Sequence, residues 1–309
     1  MTISKEFFDP DEAKLREKNE TLLQNSPSYL IAYNDEVFLN SSEARPYRMQ
    51  LELVKPELIM KAAQIRSTVI VFGSARLVST DVAKKMLKKA ESNLKDDPEN
   101  KIYLAEVRKA ESLLKFGKYY DQARDFARIV AKFNQQTAPR EGYAHHDFVI
   151  CTGGGPGIME AANRGAHDVG SMSIGLNISL PMEQTPNPFI SNELCFQFHY
   201  FGIRKLHFML RAMALVVFPG GFGTFDELFE GLTLRQTHRM QQLPIILFGE
   251  EFWRTAVNFD YLVETGVIDR DDLDLFIFVE SPEQAWDEIV KYHKKHNTPL
   301  FTKAEKGKL

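Results

Sequence analysis

Cysteine is scarce in this sequence. There are two, Cys151 and Cys195, far apart along the chain. Two separated cysteines supply no disulfide framework and read as buried thiols in a reducing compartment. An excess of one charge sign is missing too: 38 basic and 42 acidic side chains leave a net charge of −4. No general basic surface for nucleic acid or anionic lipid is therefore expected. No run of about 18 apolar residues occurs, so no membrane-spanning helix is predicted. The opening MTISKEFFDPDEAKLREKNE is polar and acidic, unlike a secretory leader or an Arg-rich transit peptide. A cytoplasmic location is the expectation. Metal signatures are also lacking. His145 and His146 are adjacent, His199 and His207 lie on a strand-to-helix passage, and neither H-E-x-x-H nor a Cys/His cluster occurs, so no metal site is predicted. There is no G-x-S-x-G elbow for a serine hydrolase.

What is present is an ordinary globular composition, 44% hydrophobic and 26% charged over 309 residues, enough for one or two domains. Up to about Arg66 the pattern is helical and amphipathic. Pro10-Asp11-Glu12 opens one helix, and Ser42-Glu43 precedes another that Pro56 should kink or break. The period then changes. Short apolar, β-branched runs at 67–73, 147–152, 172–178, 214–218, 244–248 and 275–279 read as buried parallel strands. Helical patterns at 119–133, 157–169, 201–213, 225–238, 252–264 and 282–293 separate most of them. This alternation predicts an α/β fold, a doubly wound parallel sheet with right-handed crossovers. Ligands in such sheets sit beyond the carboxyl ends of the strands. Between Ala75 and Gly117 a Lys/Glu-rich stretch, split at Asp96-Asp97-Pro98, reads as an inserted helical hairpin over about 80–115. It carries the tetrapeptide KAES twice, at 89–92 and 109–112. A solvated or oligomer-facing role fits its charge pattern.

Two glycine-rich turns follow two of the strands: Thr152-Gly-Gly-Gly-Pro-Gly-Ile-Met159 and Pro219-Gly-Gly-Phe-Gly-Thr-Phe-Asp-Glu227. Glycines there let backbone N–H groups approach an anion, and a following helix N-terminus adds about half a positive charge. Neither loop continues into Lys-Ser/Thr as a Walker loop does, and G-x-G-x-x-G fails in both registers of the first. A mononucleotide phosphate suits the loops better than a dinucleotide. Each loop also has a plain reading as a tight strand-to-helix turn. Thr224-x-x-Glu227 can be a helix capping box, or it can set the Glu227 carboxylate beside the sugar of a bound nucleotide. Arg204, His207 and Arg211 share a helix face, which reads either as a polar stripe or as part of a site.

With these residues in place, Gly153-Gly-Gly-Pro-Gly-Ile-Met159, the Arg204-Lys205 pair and Pro219-Gly-Gly-Phe-Gly-Thr-Phe-Asp-Glu227 resemble the LOG ("Lonely Guy") family, often labelled lysine decarboxylase-like. Val71-Phe-Gly-Ser74 is similar to that family's first-strand loop. The resemblance covers 67–76 and 117 to about 280, and is nearer to longer bacterial members than to short plant-type ones. It implies a Rossmann-like fold and a metal- and cofactor-independent hydrolysis of nucleoside 5′-monophosphates, of the AMP or cytokinin riboside type, to free base and ribose 5-phosphate. It implies Arg204 and Glu227 as the catalytic pair. It also implies substrate contacts from Gly73, Ser74, Gly153, Gly154, Gly155, Gly157, Phe201, Lys205, Gly220, Gly221, Gly223 and Thr224. No lysine stands in a recognisable Schiff-base setting, so the decarboxylase label finds no support here. The rival reading is a non-catalytic nucleotide or cofactor carrier or sensor on the same fold. The expected organisation is a helical extension (1–66), one nucleotide-hydrolase domain (67–296) and a tail (297–309), assembled as a homo-oligomer, a dimer or higher.

Overall fold

Seven short segments form one parallel sheet in the computed structural model, which describes residues 7–137, 145–180 and 185–300. They are Thr68–Phe72 (β1), Val149–Thr152 (β2), Ser173–Ile178 (β3), Cys195–Phe198 (β4), Ala212–Val217 (β5), Ile245–Phe248 (β6) and Phe276–Val279 (β7). Their order is β4-β3-β2-β1-β5-β6-β7, every pair parallel. The expected doubly wound α/β fold is present. Every residue of β1, TVIVF, is buried, because helices cover both faces and no side of a central strand meets water. Alternate side chains feed two cores: Val69 and Val71 pack on one face, Ile70 and Phe72 on the other.

The helices are Pro10–Gln24 (α1), Glu36–Leu39 (α2), Arg45–Ala62 (α3), Thr80–Asp96 (α4), Lys101–Thr137 (α5), Ile158–Asp168 (α6), Phe201–Leu210 (α7), Phe222–Gln236 (α8), Glu250–Ala256 (α9), Phe259–Glu264 (α10) and Pro282–Lys295 (α11). The chain divides into two compact units, up to Val54 and from Lys55. In the first, Asp9 caps α1 by accepting from the Asp11 and Glu12 N–H groups, and no residue of α1 is buried. In the second, α5, α6 and α11 supply one core and Phe208, Leu228 and Trp253 of α7, α8 and α9 the other. Among the described residues no helix is long and apolar enough to cross a membrane.

Several local expectations change. Pro56 does not break its helix: α3 runs through it with the ring buried, so packing offsets the missing hydrogen bond. The hairpin forms, but its second arm does not end near residue 115. It continues through Gly117 as the 37-residue α5. Gly117 is where the start of α4 crosses, a β-carbon there standing 3.1 Å from Thr80 Cα. The two KAES copies face each other across the hairpin, with Ala90 and Ala110 buried at the seam. The segment 252–264 is two helices rather than one. β4 went unread because Cys195-Phe-Gln-Phe198 alternates exposed and buried at the sheet edge instead of forming an apolar run. That alternation also leaves Cys195 exposed, whereas Cys151 is buried as expected.

Candidate active site

The strand order reverses direction at β1 and β5, so the chain leaves these neighbours toward opposite sides of the sheet and opens a crevice at their carboxyl ends. Both loops at that crevice are tied together. Phe218 N–H donates to Phe72 O at 2.9 Å and Ser74 N–H to Pro219 O at 3.0 Å. A cleft of about 870 Å³ lies there, walled by Gly73–Arg76, Phe201 and Arg204, the start of α8 from Gly221 to Glu227, Met159 and Ala256.

The start of α8 faces this cleft without a side-chain cap. Gly221 is the N-cap, and a β-carbon on Gly221 or Gly223 would meet nothing within 4 Å. Uncapped first-turn N–H groups beside open space make an anion site, each charge interaction there contributing about 1 kcal/mol. Gly220 does a different job. A β-carbon on it would overlap the Thr224 side chain, which is buried against this residue.

The helix begins three residues earlier than the capping-box pattern implied. Thr224 sits at the third helical position, its N–H donating to Gly221 O at 2.9 Å. Glu227 therefore does not cap the helix. It is 6% exposed, it lines the cleft, and its Oε2 has no hydrogen-bond partner. Burial pushes the carboxyl up to about 7, with Lys205 and Arg204 pulling down and Glu230 and Asp226 pushing further up. An unpartnered buried carboxylate costs stability, so something outside the fold accounts for its place.

Arg204 is clamped. Its Nε donates to the Leu176 carbonyl of β3 at 2.7 Å, its guanidinium lies 5.2 Å from the Phe208 ring centroid, and a β-carbon on Gly153 would stand 2.5 Å from Nη2. Burial lowers its proton affinity and the Glu227 carboxylate raises it, though a guanidinium stays charged. The expected polar stripe on α7 splits here. His207 and Arg211 both meet Glu57 of α3, whereas Arg204 turns to the cleft. Cys151, behind Arg204, is no nucleophile, its thiol being pushed up to about 12 by burial.

Of the residues singled out from sequence, Gly73, Ser74, Phe201, Arg204, Gly221, Gly223, Thr224 and Glu227 come together around the cleft. Gly153, Gly154, Gly155 and Gly157 are buried behind its wall. Gly154 and Gly157 have φ of +73°, and their missing β-carbons leave room for Asn177 and for the Ser74–Ala75 backbone. A buried polar network holds that loop: Asn187 donates to Gly155 O at 3.0 Å and to Asn163 Oδ1 at 2.9 Å, and Thr152 Oγ1 donates to Asn163 Oδ1 at 2.7 Å. Lys205 is not among the residues walling the cleft; its ammonium meets the carboxylates of Asp226, Glu227 and Glu230. The sequence reading missed Arg76, Phe222 and Ala256. Arg76 lies two residues beyond the quoted Val71–Ser74 motif; Phe222 is apolar yet 97% exposed, which its sequence neighbours do not signal.

Residues 159–289 match the profile of the family described as "Possible lysine decarboxylase". A curated relative, the pyrimidine/purine nucleotide 5′-monophosphate nucleosidase of Escherichia coli (strain K12), is 38% identical over 112 residues, covering 32% of this chain and 24% of that protein. The match thus spans about a quarter of the relative's length. Among solved structures, the molybdenum cofactor binding protein from Rippkaea orientalis is similar with TM-score 0.38 and 20% identity, over 56% of this chain and 87% of that one. The Moco carrier protein from Chlamydomonas reinhardtii gives TM-score 0.42 and 15% identity, over 74% and 99%. With its two loop motifs, its Arg204-Lys205 pair and the matched span 159–289, the chain is similar to the lysine decarboxylase-like family over that span.

Proposed function

We propose that the cleft hydrolyses the N-glycosidic bond of a nucleoside 5′-monophosphate, releasing free base and ribose 5-phosphate. The observation that carries this reading is Glu227: nine-tenths buried, unpartnered at Oε2, and one turn into a helix whose uncapped start faces the same cleft. The 5′-phosphate rests on the Gly221–Thr224 amides, which sets the ribose over Glu227. As the C1′–N bond breaks, its electron pair leaves with the base and positive charge grows at C1′. The Glu227 carboxylate stabilises that charge and takes a proton from the attacking water. Water oxygen bonds to C1′, and the departing base gains the balancing proton. Arg204, fixed by Leu176, Phe208 and Gly153, holds a cation beside the phosphate and carboxylate without needing to reorganise.

The curated relative named as a nucleotide 5′-monophosphate nucleosidase supports the same chemistry. Decarboxylation is the weaker reading, because no lysine is among the residues walling the cleft. Incubation with AMP, GMP, IMP, CMP and UMP separately should release free base and ribose 5-phosphate from at least one. Glu227→Gln should lower kcat by about 10²- to 10⁴-fold while leaving nucleotide binding in place. Binding of these nucleotides with no release from any would make the protein a carrier instead.

A further inference from the structure

Lys205 stands out as a charged side chain that the proposed reaction does not use. It follows Arg204 on α7 and is 17% exposed, with its Nζ 2.8 Å from Asp226 Oδ2, 3.0 Å from Glu230 Oε2 and 3.9 Å from Glu227 Oε2. These carboxylates crowd within about one turn of α8, where like charges at neighbouring and i,i+4 positions repel. We propose that Lys205 is a positioning residue, an ammonium set behind Glu227 that keeps this carboxylate charged and oriented toward the cleft. The proposal rests on Glu227 acting as the base of the reaction described above.

The geometry separates the two basic residues by task. Arg204 reaches the cleft from the substrate side, and Lys205 braces the carboxylate from the helix side. The charged groups facing Glu227 are Arg204 and Lys205 from α7 and Asp226 and Glu230 from its own helix. Arg76 also lines the cleft, and of α9 only Ala256 does. Asp226 and Glu230 each hold the ammonium at hydrogen-bond distance, and Glu227 does not. Lys205 thus acts on Glu227 through space, leaving Oε2 unpartnered for the reaction. Removing the ammonium would leave Arg204 to balance Glu227 against Asp226 and Glu230, and the buried carboxylate would take up a proton first.

Two readouts test this. The first is the protonation of Glu227, followed by infrared titration in the intact protein, with Glu227→Gln identifying its band. Lys205→Met should raise the proton affinity of Glu227 about tenfold, and Lys205→Arg should leave it near wild type. Asp226→Asn, at an exposed position that tolerates change, should lower that affinity. The second is the pH profile of kcat/KM on the best mononucleotide. Its acid limb should move to higher pH in Lys205→Met, with activity recovering as pH rises. A uniform loss at every pH, or an unshifted titration in both Lys205→Met and Asp226→Asn, overturns the proposal. Failure of the wild type to hydrolyse any mononucleotide would sink the nucleosidase reading alone, because the infrared titration needs no turnover.

Discussion

A carboxyl that titrates at about 7 in the fold and near 4.5 in the unfolded chain makes stability depend on pH. The folded state holds the Glu227 proton more tightly, so this contribution is full below about 4.5 and is lost as pH rises through about 7. At neutral pH and above, Glu227 is a net cost that its proposed chemical role explains. Glu227→Gln should therefore be the more stable protein at about pH 8, by roughly 1–3 kcal/mol, with the difference closing toward about pH 4. Denaturant unfolding at both pH values checks this. Equal stability at high pH would mean that Glu227 is already compensated in the fold. Sequence left two roles open for this residue, because Thr-x-x-Glu spacing fits a capping box and a site equally well. Only the start of α8 at Phe222, set by the Gly220–Gly221 turn, decides between them.

At the scale of elements, the two glycine loops look alike in sequence and differ in what their glycines avoid. The second opens onto space: Gly223 lies inside α8 with nothing near its missing β-carbon. The first is packed on the backbone of its neighbour, Gly157 at φ +73° lying against Ser74 and Ala75. Alanine should separate them. Gly223→Ala should leave stability unchanged or raise it by up to about 1 kcal/mol, since alanine is the better helix former, yet weaken mononucleotide binding by putting a methyl in the cleft. Gly157→Ala should destabilise the fold by about 2 kcal/mol or more, through strain at positive φ and backbone overlap. Thermal unfolding and nucleotide titration of both variants distinguish the cases. The strands were legible because buried parallel strands are continuous apolar runs. The loops were legible as glycine-rich, but which one faces ligand depends on register with Asn163, Asn177 and Asn187, residues distant in sequence.

For the whole molecule, the ligand crevice was foreseeable once strands and helices alternated, because doubly wound sheets open where their order reverses. Which strands flank it was not, since the edge strand β4, exposed at alternate residues, does not read as a buried apolar run. The partition of the chain is likewise set by packing: the division falls at Val54 and Lys55, inside the continuous α3. Every residue walling the cleft lies between Phe72 and Ala256, and the sheet with both its cores lies beyond Lys55. In the first unit, α1 buries none of its residues. Removing residues 1–42, ahead of α3, should thus leave mononucleotide affinity and base release within about threefold of the full chain, with a Tm shift of only a few degrees. Calorimetry and the release assay on the shortened chain measure both quantities. If the sheet stays folded but affinity is lost, the first unit contributes to the site, and the 72–256 boundary drawn for the site is too narrow.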